Sequence, residues 1–120
     1  MAETIKKQYD LEIRTGEFAK NVRSFLKKLP RNIPNAEDSK QVARSSGSIG
    51  ANYIEANEAL SKKDFMMRIK ICRKEAKETC YWLRLIDSGK NAELEKEQSA
   101  LLKESSELMN IFGSIVRKSE

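Results

Sequence analysis

Four stretches of the chain place apolar or small residues at alternating steps of four and three. They are Leu11, Thr15, Phe18, Val22, Phe25, Leu29; then Val42, Ser46, Ile49, Tyr53, Ala56, Leu60; then Phe65, Ile69, Cys72, Ala76, Thr79, Leu83, Ile86; and Leu94, Gln98, Leu101, Ser105, Leu108, Phe112, Ile115. This spacing keeps one stripe of an α-helix turned toward a single partner, the pattern of helices packed at a shallow angle. Four stripes in 120 residues predict an all-α fold, an antiparallel up-down-up-down four-helix bundle in a single domain, 1–120. The helices are expected at roughly 10–29, 36–59, 62–88 and 92–117.

The boundaries follow from turn and cap chemistry. Residues 1–9 read as a frayed leader and Asp10 as the cap of the first helix, which Pro30 stops after Leu29. Asn35 or Asp38 is expected to cap the second helix. Ser61-Lys62-Lys63-Asp64 has the form of a capping box with aspartate in place of glutamate. Gly89 suits a left-handed helix end, and Asn91 the next N-cap.

The second helix is rich in poor helix formers from Ala43 to Asn52, including Gly47 and Gly50. Internal glycine costs about 1 kcal/mol relative to alanine. Either the segment is a loop whose amides face an anion, or its small residues admit a neighbouring helix closely. The four-three stripe runs from Val42 to Tyr53 without slipping, which favours a continuous helix. Ile13, Ile54, Met67, Ile71, Trp82 and Leu85 lie off the stripes. A stripe wider than a strict heptad accounts for some of them. A row ending in tryptophan is costly to leave wet, so Ile54, Met67, Ile71, Trp82 and Leu85 are candidates for contact between copies of the chain.

Charge is distributed unevenly. Residues 1–34 carry eight basic and four acidic groups, 35–60 two and four, 61–90 nine and four, and 91–120 four and six. The net +5 therefore conceals two basic and two acidic helices. Lys62, Lys63, Arg68, Lys70, Arg73, Lys74 and Lys77 crowd the third helix, and Arg23, Lys27, Lys28 and Arg31 the end of the first. All of these except Arg31 form the candidate nucleic-acid-binding set, since lysine and arginine displace counterions from phosphates. The bland alternative is a solvated face paired with the acidic helices. In a simple bundle the two clusters lie on diagonal helices, so they need not form one surface.

Other chemistry is sparse. The chain contains no histidine, which removes the commonest general base and the commonest transition-metal ligand. Glu55, Glu75 and Glu78 suggest a carboxylate-bridged metal bundle, but such sites also need histidine. No metal or cofactor is expected, and no enzymatic activity. Gly47-Ser48-Ile49-Gly50 matches neither a nucleophile elbow nor a phosphate loop. Ser48, Asn52, Glu55 and Glu78 form a candidate structural polar network that fixes register, the alternative being solvent-facing side chains. Cys72 and Cys80 are separated by about 12 Å of helical rise, too far for a disulfide within the chain. Reduced thiols, no apolar run near the ~20 residues of a membrane span, and no signal-like start lead to the expectation of a cytoplasmic protein without a membrane partner.

Ser48-Ile49-Gly50-Ala51-Asn52-Tyr53-Ile54-Glu55-Ala56 followed by Ser61-Lys62-Lys63-Asp64-Phe65 resembles the signature of the four-helix-bundle proteins associated with intervening sequences in bacterial 23S ribosomal RNA genes. The resemblance extends to Asp10-Leu11-Glu12, Leu29-Pro30, Glu75-Ala76-Lys77-Glu78-Thr79 and Trp82-Leu83, covering roughly residues 9–117. Position 56 is Ala where many members have glycine. The resemblance implies a ring-like homopentamer, a bacterial cytoplasmic setting and no known catalytic activity. It also implies kinship with the accessory variability determinant proteins of diversity-generating retroelements, which bind nucleic acid and a reverse transcriptase through basic surfaces. The expected function is a non-enzymatic homo-oligomeric bundle contacting RNA or DNA. The alternative is a structural or adaptor protein that joins proteins without binding nucleic acid.

Overall fold

The computed structural model describes residues 2–120, with side chains described from Asp10 onward. Four helices follow one another: α1 Ala2–Leu26, α2 Ile33–Asn57, α3 Lys62–Leu85 and α4 Ala92–Ser119. Each packs against its neighbours in sequence, and α4 returns to α1, so α1 and α3 are diagonal. This is the antiparallel four-helix bundle that the stripes predict. Among the described residues no helix is long and apolar enough to cross a membrane.

The stripes form the core. Phe18, Val22 and Phe25 of α1 meet Val42, Ile49 and Tyr53 of α2, Ile69, Cys72 and Leu83 of α3, and Leu108 and Phe112 of α4, all buried. Tyr53 and Phe112 pack ring against ring across the bundle at 5.6 Å. Leu60 is the exception: α2 ends at Asn57, and the leucine stands almost fully in solvent.

Several boundaries differ from expectation. α1 begins at Ala2, so Asp10 lies within the helix and does not cap it. It ends at Leu26, and Leu29 is reached by a tighter turn in which Lys28 N–H bonds Phe25 O at 3.0 Å. The cap of α2 is Asn32, whose side chain accepts from Asn35 N–H at 2.8 Å, rather than Asn35 or Asp38. Pro34 therefore sits in the first turn of the helix, where a missing N–H costs nothing. Asn35 is buried and ties two connectors together. Its Nδ2 donates to Pro30 O at 3.1 Å and Asp87 O at 2.8 Å, and its Oδ1 accepts from Asp87 N–H at 2.9 Å. α3 ends at Leu85, short of the expected Ser88, because Ile86 turns extended. Gly89 has φ +70°, and a Cβ there would lie 2.7 Å from Pro30 Cγ. Ser61 and Asn91 cap α3 and α4 as their sequence predicts.

α2 is a continuous helix through Val42–Tyr53, and its small residues do bring neighbours close. Thr79 Oγ1 donates to Ser45 Oγ at 2.8 Å, and Cys72 Sγ donates to Ile49 O at 3.4 Å, which brings α3 onto the backbone of α2. On the other side, a Cβ at Gly50 would lie 2.9 Å from Thr15 Oγ1. Gly50→Leu is therefore expected to lower the unfolding free energy by about 1–3 kcal/mol through overpacking. Gly16→Ala, where a Cβ meets nothing within 4 Å, is expected to raise it by about 1 kcal/mol. Urea melts of the two variants check both signs, and a neutral Gly50→Leu would contradict the close approach of α1 and α2.

Candidate nucleic-acid interface

Successive turns of α3 face different neighbours. Residues near Ile69, Cys72 and Ala76 point into the core, Arg68 and Glu75 lean toward α2, and Lys70, Arg73 and Lys77 lean toward α4. The last three, with Lys74 and with Arg117 of α4, line a groove of about 520 Å³ between α3 and α4. Met109, Asn110 and Gly113 complete its walls. Arg73 and Arg117 flank Gly113 from opposite helices: a Cβ there would make ordinary contact, 3.6 Å from Arg73 Cδ and 3.4 Å from Arg117 Nη1. Five cationic residues thus share one recess, and no acidic residue lines it among the described residues. Lys74 Nζ comes within 3.8 Å of Glu75 Oε1, part of the carboxylate that also meets Arg44 of α2.

The remaining basic candidates lie elsewhere. Lys28 pairs with Glu97 of α4 at 2.7 Å. Arg23 folds along α1 to bond Ala19 O and Ala43 O at 3.1 and 3.3 Å. Arg68 donates to Asn52 Oδ1 at 3.0 Å. Lys27, Lys62 and Lys63 are exposed and do not line the groove. The ten candidates therefore divide: four converge, three are engaged within the bundle, and three stand apart. Arg117 is the groove cation that sequence reasoning missed. The acidic total of α4 hid it, although that acid belongs to another face. Glu104 and Glu107 receive Arg14 of α1 at 2.7 and 2.9 Å, a forked contact that holds the Arg14 guanidinium above its ordinary pKa.

The profile of the family described as "23S rRNA-intervening sequence protein" matches residues 8–114. The chain belongs to this family. Its fold also matches the crystal structure of a protein of unknown function from the S23 ribosomal protein family of Bacteroides thetaiotaomicron VPI-5482. That match has a TM-score of 0.73 and 32% identity, and covers 88% of this chain and 96% of the other. No curated protein matches.

The residues that carry the 23S rRNA-intervening sequence signature separate into two polar groups. In the first, Asn52 Nδ2 donates to Ser48 O and Ser48 Oγ at 2.9 and 3.0 Å while its oxygen holds Arg68. In the second, Arg44 approaches Glu78 at 3.3 Å and Glu75 at 3.5 Å. Glu78 thus joins Arg44 and not Asn52, and Glu55 is exposed with no hydrogen bond to either among the described residues. Glu75 is 5% exposed, and its Oε2 has no hydrogen-bond donor among the described residues. The two groups pin α2 to α3 at separate heights.

Of the off-stripe apolar residues, Ile54, Met67 and Leu85 are about half exposed, while Ile71 and Trp82 are half-buried. Trp82 packs on the core and meets the exposed Tyr81 edge to face at 5.0 Å. Met67, Ile71, Trp82 and Leu85 follow the outer face of α3, on the side away from the groove.

A second cleft, of about 550 Å³, opens where Asp10–Arg14 of α1 meets the end of α2, the first turns of α3 and the last turns of α4. Leu11, Tyr53, Phe65 and Ile115 make its apolar walls. Burial pushes the Tyr53 hydroxyl pKa up, keeping the phenol neutral. It also pushes the Cys72 thiol up to about 12, far from the thiolate that a nucleophile needs. A thiol whose pKa is higher folded than unfolded contributes stability that is complete below the ordinary thiol range and is lost as pH rises toward 12. Denaturation midpoints measured between pH 8 and 11 are therefore expected to fall, and to fall less in Cys72→Ala. An identical decline in that variant would contradict the assignment.

Proposed function

We propose that this protein is a non-enzymatic, homo-oligomeric bundle that binds RNA or DNA through phosphate contacts in the α3–α4 groove, with little sequence preference. The observation that supports this most directly is the convergence of Lys70, Arg73, Lys74, Lys77 and Arg117 on one recess, while Glu97, Glu104 and Glu107 of α4 are drawn to α1. Such a cluster repels itself unless an anion neutralises it, and phosphate takes guanidinium in forked, charge-assisted pairs. The 23S rRNA context in the family's description agrees with an RNA ligand.

Copies of the chain would join through the outer face of α3, where Met67 stands half exposed near one end and Leu85 beside Trp82 near the other. The ring-like homopentamer implied by the family resemblance would bring several grooves onto one particle. The same apolar face favours a second reading, an adaptor whose partner is a protein; that partner would survive nuclease treatment in a pull-down.

Fluorescence anisotropy with a single-stranded RNA tests the leading reading. Engaging about four phosphates gives a slope of roughly −3 in log affinity against log salt. The charge reversal Arg73→Glu with Arg117→Glu is expected to weaken binding at least tenfold, while Lys20→Glu, on exposed α1 surface, changes it less than twofold. No salt-sensitive binding at micromolar protein, or equal loss in both variants, would refute the groove as the site. Mass measurement in solution tests the assembly. A monomer would refute the assembly, and an oligomer that Met67→Asp leaves intact would refute contact through α3.

A further inference from the structure

The groove is more highly charged than a passing strand requires. From Lys70 to Lys77 it runs about 10 Å by helical rise. One strand of a duplex brings about three phosphates over that length, at ~3.4 Å of axis per charge. Five cationic residues line it. One turn beyond Lys77, Cys80 Sγ and Ser106 Oγ meet at 3.6 Å and bridge α3 to α4, and neither residue lines the groove. At the other end it runs toward Arg117, near the end of α4. Its volume, about 520 Å³, is that of a small-ligand site and not of a trench.

Resting on the phosphate-binding reading of this same groove, we infer that it takes a terminal oligophosphate: the 5′-triphosphate end of an RNA or a free nucleoside triphosphate. A chain of linked phosphates carries several charges on adjacent phosphorus atoms, so it concentrates negative charge where the cations concentrate theirs. Arg73 and Arg117 flank Gly113 from opposite helices and can fork onto non-bridging oxygens from two sides. Lys70, Lys74 and Lys77 then add point charges along one wall. The amide of Asn110 supplies an uncharged donor on the other.

The test uses the full chain at fixed ionic strength. Calorimetric titration compares inorganic triphosphate with orthophosphate and with citrate, an anion of similar charge. Anisotropy compares one RNA sequence bearing a 5′-triphosphate or a 5′-hydroxyl. Triphosphate is expected to bind at least tenfold more tightly than citrate, and the triphosphate-ended RNA at least tenfold more tightly than its hydroxyl-ended twin. Adenosine triphosphate distinguishes the sources: affinity equal to that of the RNA end identifies a nucleotide site, and a much weaker one an RNA-end site. Arg73→Ala and Arg117→Ala are each expected to abolish the preference while circular dichroism shows full helicity.

Equal affinity for both RNA ends, with triphosphate no better than citrate, would overturn the inference. Salt-sensitive binding of both RNAs would then leave backbone binding standing. Saturable triphosphate binding with neither RNA bound would uphold the inference and overturn the nucleic-acid reading. Binding of neither would overturn both and point to an acidic protein surface.

Discussion

The near-contact of helix backbones along α2 is the constraint on which the rest depends. Ser45, Ser46, Ile49 and Gly50 let α3 approach on one side and α1 on the other, with Thr79 bonded to Ser45, Cys72 to the Ile49 carbonyl, and Thr15 against Gly50. Helices this close cannot rotate freely, because turning α3 would drive a larger residue into the small-residue strip. With its core stripe fixed, the positions on its flank are fixed as well. Lys70, Arg73 and Lys77 must then face α4. A weak helix-forming segment thereby sets the direction of the basic surface.

Electrostatics divides α4 in the same way. Glu97, Glu104 and Glu107 are turned to α1, where Lys28 and Arg14 meet them. Exposed ion pairs of this kind each contribute at most about 1 kcal/mol, so they do little to hold the bundle together. Their larger effect is on the surface: by drawing the acid to one side they leave Arg117 unopposed on the other. Arg68 is occupied internally, so the exposed basic charge of α3 divides among the groove, its Lys62–Lys63 end and Arg84 in its last turn. The ordering of charge is therefore angular around each helix and not a property of the whole helix.

This explains what was legible in the sequence. The four-three stripes carry the fold because burial depends on spacing, which a sequence displays directly. Continuity of α2 was legible for the same reason, despite its glycines. The α2 cap was placed too late, at Asn35 or Asp38, although Pro34 suits a first turn that Asn32 caps. Lys70, Arg73, Lys74 and Lys77 were found through local density. Arg117 was not, because charge summed over a helix conceals a single residue on the opposite face. The polar signature divided differently from expectation: the Asn52 and Glu78 contacts lie more than two turns apart along the α2–α3 seam, and Arg68 and Arg44 decide their partners. Those pairings depend on cross-helix geometry, which spacing along one helix does not encode.

The central claim, that the α3–α4 recess is where phosphate is bound, is tested most directly by mapping nuclear magnetic resonance shifts as RNA is added to the labelled protein. The expected result is perturbation confined to residues 70–77 and 109–117, with the Arg73 and Arg117 side-chain Nε signals moving furthest. Shifts centred on Arg23, Lys27 and Lys28, or spread evenly over every exposed lysine, would contradict it.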